Sequence, residues 1–531
     1  MKLPGPNELA ERFLLNHFTK EKRCAFLTAI ITGIFTHFIL LANGMMSQDG
    51  LCQSIRYYAG EAEISVGRWG VKLFEQLRAN YALTFLSAVI SILLVAIAAV
   101  LLTDLFQIRS VLGAALTAGI LETAPALVVT MLYEYVSDLY FLSLCFAIIA
   151  ALFLIRCRKK LLGSLFAAIF IMLSMSIYQS YIGFTAGICV MVTILSLLDP
   201  ESDVRVVAKD FLRYLITGII GFLFYFISVK IDQAIEHIGA SAYNGVSDLT
   251  PMTILQSLPF SISNTYHSFL RYFIRDDYIY NTNWHRDIFF VIFFLCFFAI
   301  ILFLIIKDKL YRNIGKLIFL LVLGLCIPVS LNLFQLIVPN SQIYALTSMQ
   351  MVLVIPFFLS VAENRLQKRL PIIQWCAAGM IILSFVTYFF ADVLSYRALE
   401  ETYDQCLYGA NRILDRMENT EGYDKDMPVV FAGWFNDASY PQDQSFWDYS
   451  LGYLVTNRTI HGDFYANTES IRRFYLQFPG IYLNMAPPAL YQSIIETDDF
   501  KKMGIYPALD SVKIIDGVMV VKMMEEPYQV Y

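Results

Sequence analysis

Eleven stretches of this chain are apolar over about the length a helix needs to cross a hydrocarbon core, roughly 20 residues. They fall near 24 to 43, 81 to 102, 111 to 133, 136 to 155, 161 to 177, 182 to 198, 211 to 231, 287 to 306, 317 to 338, 344 to 362 and 371 to 393. A bilayer interior offers backbone N–H and C=O groups no partner but each other. A chain with this many such runs is therefore expected to fold as a polytopic α-helical membrane protein of about eleven transmembrane helices. The balance of residues agrees, with 57% hydrophobic, only 16% charged and a mean hydropathy of +0.58. The net charge of −5 and the lack of a basic stripe with interleaved aromatics argue against nucleic acid as a partner.

Lys and Arg gather in alternate connections. Arg156, Arg158, Lys159 and Lys160 fill one, Arg205, Lys209 and Arg213 a second, Lys307, Lys309, Arg312 and Lys316 a third, and Arg365, Lys368 and Arg369 a fourth. The intervening short loops at 134–138, 178–181 and 339–343 contain no Lys or Arg. Short basic loops resist translocation, so the amino terminus, with Lys20, Lys22 and Arg23, is expected in the cytoplasm of a plasma (inner) membrane protein. An odd number of spans then places the carboxy terminus outside.

This topology divides the chain into a cytoplasmic segment 1–23, a transmembrane domain 24–393 with outer loops 44–80 and 232–286, and an extracytoplasmic domain 394–531. The last segment opens with a helical pattern around 396–418. It continues with Val429, Val430 and Phe431 running into a Gly433 turn, and later places Asp516-Gly517 between two β-branched runs, a hairpin signal. A small α/β or α+β domain is expected there. In the first outer loop Val66, Trp69, Gly70, Leu73, Phe74 and Leu77 recur at helical spacing, with Arg68, Lys72 and Glu75 on the other side. That pattern predicts an amphipathic helix along the outer surface, with Trp69 at headgroup level.

Charged and polar residues at the outer mouths of the spans are the candidates for chemistry. Asp49 follows the first span in Ser47-Gln48-Asp49-Gly50; an Asp-Gly pair is ordinary turn chemistry, but Arg56 and Arg68 share the segment, and two cations near a carboxylate suit an anionic lipid headgroup. Glu122 lies inside the third span, three residues before Pro125, either facing a cavity or hydrogen-bonded at a kink. Asp138 sits in a very short outer loop. Tyr178 and Gln179 form an uncharged aromatic turn that reads either as interfacial belt residues or as a sugar contact by ring stacking and amide hydrogen bonds. His237, His267 and His285 show no metal-ligand spacing, so no metal site is assigned and a divalent cation has no motif behind it. Walker A, Gly-x-Ser-x-Gly and His-Glu-x-x-His patterns are absent, and no cofactor is called for.

These features together resemble the GT-C superfamily of membrane glycosyltransferases, and within it the type II serotype-converting O-antigen glucosyltransferases. The resemblance rests on Asp49-Gly50 followed by Arg56, on Gly67-Arg68-Trp69, on Ser137-Asp138-Leu139-Tyr140, and on Leu173 through Gln179, and it covers roughly residues 24 to 200. It departs where relatives carry paired acids and this chain has Gln48-Asp49. The resemblance implies transfer of a sugar, glucose in such relatives, from a polyprenyl-phosphate donor to an envelope glycan acceptor at the outer face of the bilayer. In that chemistry Asp49 is the candidate base, and Arg56 and Arg68 are the candidate donor phosphate ligands. Asp138 would orient the acceptor or the base, Tyr178 and Gln179 would contact the sugar, and Glu122 is a further catalytic candidate. Two other readings compete: a lipid-linked oligosaccharide flippase or other transporter, and an envelope polysaccharide polymerase, for which Arg271 and Arg275 in the large middle loop would matter.

Overall fold

The computed structural model describes residues 18–45, 50, 53, 56–241, 250–274, 284–339, 345–366, 371–433, 468–525 and 527. Its frame is helical, as a hydrocarbon environment demands. Helices α1 (Lys20–Thr36) and α2 (Phe38–Asn43) lead to the segment that holds α3 (Glu61–Ser65) and α4 (Trp69–Phe74). Next come α5 (Thr84–Leu105), α6 (Val111–Glu122), α7 (Pro125–Met131), α8 (Ser137–Arg156), α9 (Lys160–Ile177), α10 (Ile182–Leu197) and α11 (Val204–Glu236). The second half carries α12 (Pro251–Phe273), α13 (Trp284–Lys307), α14 (Ile314–Leu331), α15 (Leu333–Ile337), α16 (Val354–Arg365) and α17 (Pro371–Glu418).

Among the described residues eight helices are long and apolar enough to cross a membrane, or nine if the bent pair α6 and α7 forms one span. Eleven runs were expected, and the difference lies in identifiable breaks. The first run splits at His37, whose Nδ1 lies 2.8 Å from Tyr396 Oη. The third bends by 49° at Pro125, which begins α7 because it has no N–H to continue the α6 ladder. The run near 344–362 holds two 3-10 turns before the 12-residue α16, with Pro356 in its first turn, where a missing N–H costs no helix bond.

Several basic residues of the alternate loops are bound into the fold at one end of the bundle. Lys316 is buried, and its ammonium donates to the carbonyls of Asp199, Pro200 and Ser202 beyond α10. Arg365 donates to Leu195 O at 2.6 Å and pairs with Asp199 at 3.3 Å, and Arg213 donates to Leu154 O at 2.6 Å. Cations therefore satisfy carbonyls that the helix ends leave unpaired and meet the negative ends of the helix dipoles.

Helix α17 is 48 residues long, about 72 Å at 1.5 Å per residue, more than twice a hydrocarbon core. It runs without interruption through residue 393, where the sequence suggests a boundary. Beyond the bundle it meets β1 (Val429–Ala432), α18 (Thr468–Gln477), α19 (Pro488–Ile495), α20 (Asp498–Lys502), β2 (Val512–Ile515) and β3 (Val518–Lys522). The sheet order is β1-β3-β2, with β1 parallel and β2 antiparallel to β3. Asp516 and Gly517 close the hairpin with φ of 49° and 75°, the positive values a two-residue turn requires. Arg416 of α17 anchors this unit by donating to Pro507 O at 3.0 Å and Ala508 O at 2.9 Å.

Replacing Lys316 by Met keeps the stem but strands three carbonyls. The melting temperature of the detergent-purified protein is expected to fall, by the equivalent of about 1–3 kcal/mol for the buried acceptors left unpaired. An unchanged melting curve would show that the loop finds other donors.

Candidate functional site

At the end of the bundle away from the basic loops, the chain turns sharply between α3 and α4. Gly67 takes φ of +83°, and a Cβ there would stand 2.6 Å from Tyr225 Oη, so both the conformation and the space call for glycine. This turn delivers Arg68. Its Nη1 donates to Tyr140 Oη at 2.9 Å, its Nε points to Gln179 Oε1 at 3.4 Å, and its guanidinium carbon lies 5.2 Å from the Tyr178 ring centre and 5.8 Å from that of Tyr140. The two tyrosines stack with centroids 4.2 Å apart. A half-buried cation thus rests against a pair of rings, a setting that suits the planar, weakly hydrated guanidinium.

Gln179 locks the arrangement. Its Nε2 donates to Val66 O at 2.7 Å and to Tyr225 Oη at 2.9 Å, and Tyr225 Oη donates to Gly67 O at 3.3 Å. The amide orientation is thereby set, with its oxygen toward Arg68. Tyr178 Oη donates to Leu346 O at 3.3 Å, and Trp69 Nε1 donates to Ser228 Oγ at 3.0 Å. The segment expected as a surface-lying helix over 66–77 is a six-residue helix followed by a 3-10 turn, Glu75–Arg78, packed against α9 and α11. Lys72 pairs with Glu236 and Asp232 of α11, and Trp69 has a partner in the protein.

A second charged group adjoins the first through α8, where Asp138 and Tyr140 are two residues apart. Asp138 is 4% exposed and forms an ion pair with Arg78, which also donates to Tyr135 O and lies 3.4 Å from Ser87 Oγ. The Tyr57 ring packs edge-on against Tyr135 at 4.9 Å, and its hydroxyl donates to Glu63. Glu75 is buried and accepts the Ala59 N–H on both oxygens, at 3.0 and 3.1 Å. A Cβ on Gly50 would overlap the Glu134 carboxylate, so the chain at Gly50 runs directly over the α7–α8 connection that precedes Asp138.

Of the residues singled out in the sequence, Arg68, Tyr178 and Gln179 come together, and Asp138 lies two residues before Tyr140 on α8 with a different partner, Arg78. Tyr178 and Gln179, expected to contact sugar, are buried at 2% and 7% exposure and engaged with protein groups. Arg56 is exposed, its guanidinium 5.3 Å from the Tyr81 ring centre, outside the set around Arg68. Glu122 ends α6, fully buried, with His37 Nε2 4.0 Å from its carboxylate and no contact to these groups among its described interactions. Asp49 and Arg275 lie outside the described residues. Arg78, Glu75 and Tyr57 escaped the sequence reading. Helical periodicity put Glu75 on the polar face, whereas the helix ends at Phe74 and the change of pitch turns Glu75 inward. Among the described residues no group of three or more His, Cys, Asp and Glu side chains is arranged to hold a metal ion.

The model of the family described as Glucosyl transferase GtrII matches residues 38–358 of this chain. The match spans more than half of the sequence and includes both charged groups, so the chain belongs to that glucosyl transferase family. No curated protein matches the chain.

Burial pushes the Glu75 carboxyl up to about 7, an effect that the Ala59 N–H and Arg78 offset only in part. A raised folded-state pKa stabilises the protein fully below the ordinary carboxylate value, and that contribution is lost as pH rises through about 7. Thermal stability is therefore expected to decline between about pH 5 and pH 8, and Glu75→Gln, which stays neutral, should flatten that slope. The same slope in the variant would assign it to another group.

Proposed function

We propose that this member of the GtrII glucosyl transferase family transfers glucose from a polyprenyl-phosphate donor to a hydroxyl of an envelope glycan, at the outer face of the plasma (inner) membrane, with the terminal domain on that same face. The single observation behind this reading is the placement of Arg68, a cation held from α8, α9 and α11 at the bundle end opposite the carbonyl-capping Lys and Arg residues. Cations at short loops mark the cytoplasmic side, so Arg68 would face the opposite leaflet at the depth of a lipid phosphate.

In a direct displacement the acceptor oxygen bonds to the anomeric carbon, the bond from that carbon to the phosphate oxygen breaks, and the acceptor proton passes to a base. Asp49 is the proposed base. Arg68 would neutralise the charge that grows on the leaving phosphate, a role that needs a fixed rather than a searching cation. The stacked tyrosines and the satisfied Gln179 amide supply that fixity, so their part is to position Arg68. The Arg78–Asp138 pair would hold the α7–α8 corner over which the chain at Gly50 passes. Arg56, exposed on the same segment, is proposed as an outer contact for the donor phosphate, and Glu122 supports the bundle from within. The donor bond is already activated, so no nucleotide is required on this face.

Purified protein supplied with polyprenyl-phosphate glucose and an envelope glycan should yield a glucosylated product and free polyprenyl phosphate, both detectable by mass spectrometry. Asp49→Asn is expected to lower turnover by about 100-fold or more, the usual contribution of a general base, with an unchanged melting temperature. Full turnover in that variant would remove Asp49 as the base. Movement of the lipid across the bilayer without transfer would favour a transporter instead.

A further inference from the structure

At the basic end of the bundle, far from Arg68, the start of α6, the end of α16 and the first turns of α17 leave a cavity of about 450 Å³. Its volume is within the range of small-ligand sites. The deep wall is apolar, formed by residues such as Leu116 and Leu359, with Gly113 in the first turn of α6. The rim is polar. Glu363 lies there, and its carboxylate accepts from Ser110 Oγ, from the Arg109 N–H at 2.9 Å and from the Ser110 N–H at 3.3 Å, so it is held against the turn before α6. The Arg109 guanidinium is exposed and has no hydrogen bond or ion pair among the described residues. Opposite it stands Trp375, 75% exposed, an unusual state for so large a ring unless lipid or a ligand meets it.

An unpaired cation at the rim, an apolar cleft beneath it and an interfacial tryptophan beside it complement one kind of molecule. We propose that this cleft binds an anionic glycerophospholipid of the leaflet at the basic end. The phosphate sits on Arg109, the glycerol backbone lies beside Trp375, and an acyl chain follows the apolar wall between α6 and α17. The charge complementarity selects against zwitterionic lipids, whose own cation would meet Arg109. This site is independent of the transferase reading, because it lies on the other end of the molecule and needs neither donor nor acceptor.

Trp375 is a built-in reporter. The full chain is reconstituted with brominated phosphatidylglycerol or brominated phosphatidylcholine at equal mole fraction, and the Trp375 share of the quenching is obtained by difference from Trp375→Phe. The phosphatidylglycerol is expected to quench that share about fivefold more effectively, the preference that one basic residue at an anionic surface confers. Arg109→Gln should abolish the preference, whereas Arg158→Gln, an exposed cation of the same end outside the cleft, should keep it. Equal quenching by the two lipids in the unmodified protein overturns the proposal, as does a preference that survives Arg109→Gln or disappears in Arg158→Gln.

Discussion

A hydrocarbon interior neither hydrates a charge nor bonds to a backbone, and the arrangement of this protein follows from where it can afford either group. Helices satisfy the backbone internally along the bundle, but each helix end releases carbonyls and N–H groups that need partners. At one end Lys316, Arg365 and Arg213 take up those carbonyls. Three of the basic loop residues are thus also residues that close the helix ends. At the other end the carbonyls of Val66, Gly67 and Leu346 are bonded by Gln179, Tyr225 and Tyr178, neutral groups, two of which, Gln179 and Tyr178, also orient Arg68.

The two ends of the bundle hold their cations differently. A cation that bonds a helix carbonyl is a structural part, because its charge faces a dipole inside the protein. Arg68 donates to a tyrosine hydroxyl and lies against two ring faces. Arg78 shows the contrast within the same region: it is buried, paired with Asp138 and bonded to Tyr135 O, and so belongs to the scaffold. The match to the glucosyl transferase family covers both residues.

Much of this was legible beforehand, for physical reasons that also explain the misses. Hydropathy locates runs that must be helical, because lipid enforces one backbone solution. It does not see the break at His37, which depends on a partner more than 350 residues away in α17. Gly67-Arg68-Trp69 and Tyr178-Gln179 were legible as polar or aromatic residues at a span mouth, but their meeting depends on helix packing that no local pattern records. Glu75 was misassigned because periodicity assumes a constant pitch, and the α4 helix tightens into a 3-10 turn before reaching it. The β2–β3 hairpin was readable from two residues, since Asp516-Gly517 carries its own backbone requirement.

Arg68 is the proposed cation that meets a lipid phosphate, and the protein's affinity for such a lipid can be measured without any turnover. Equilibrium binding of polyprenyl monophosphate to the purified protein should weaken about tenfold or more in Arg68→Ala, the cost of losing a charge-assisted contact, and much less in Arg56→Ala. Unchanged affinity in Arg68→Ala, in a variant that melts like the parent, would contradict it.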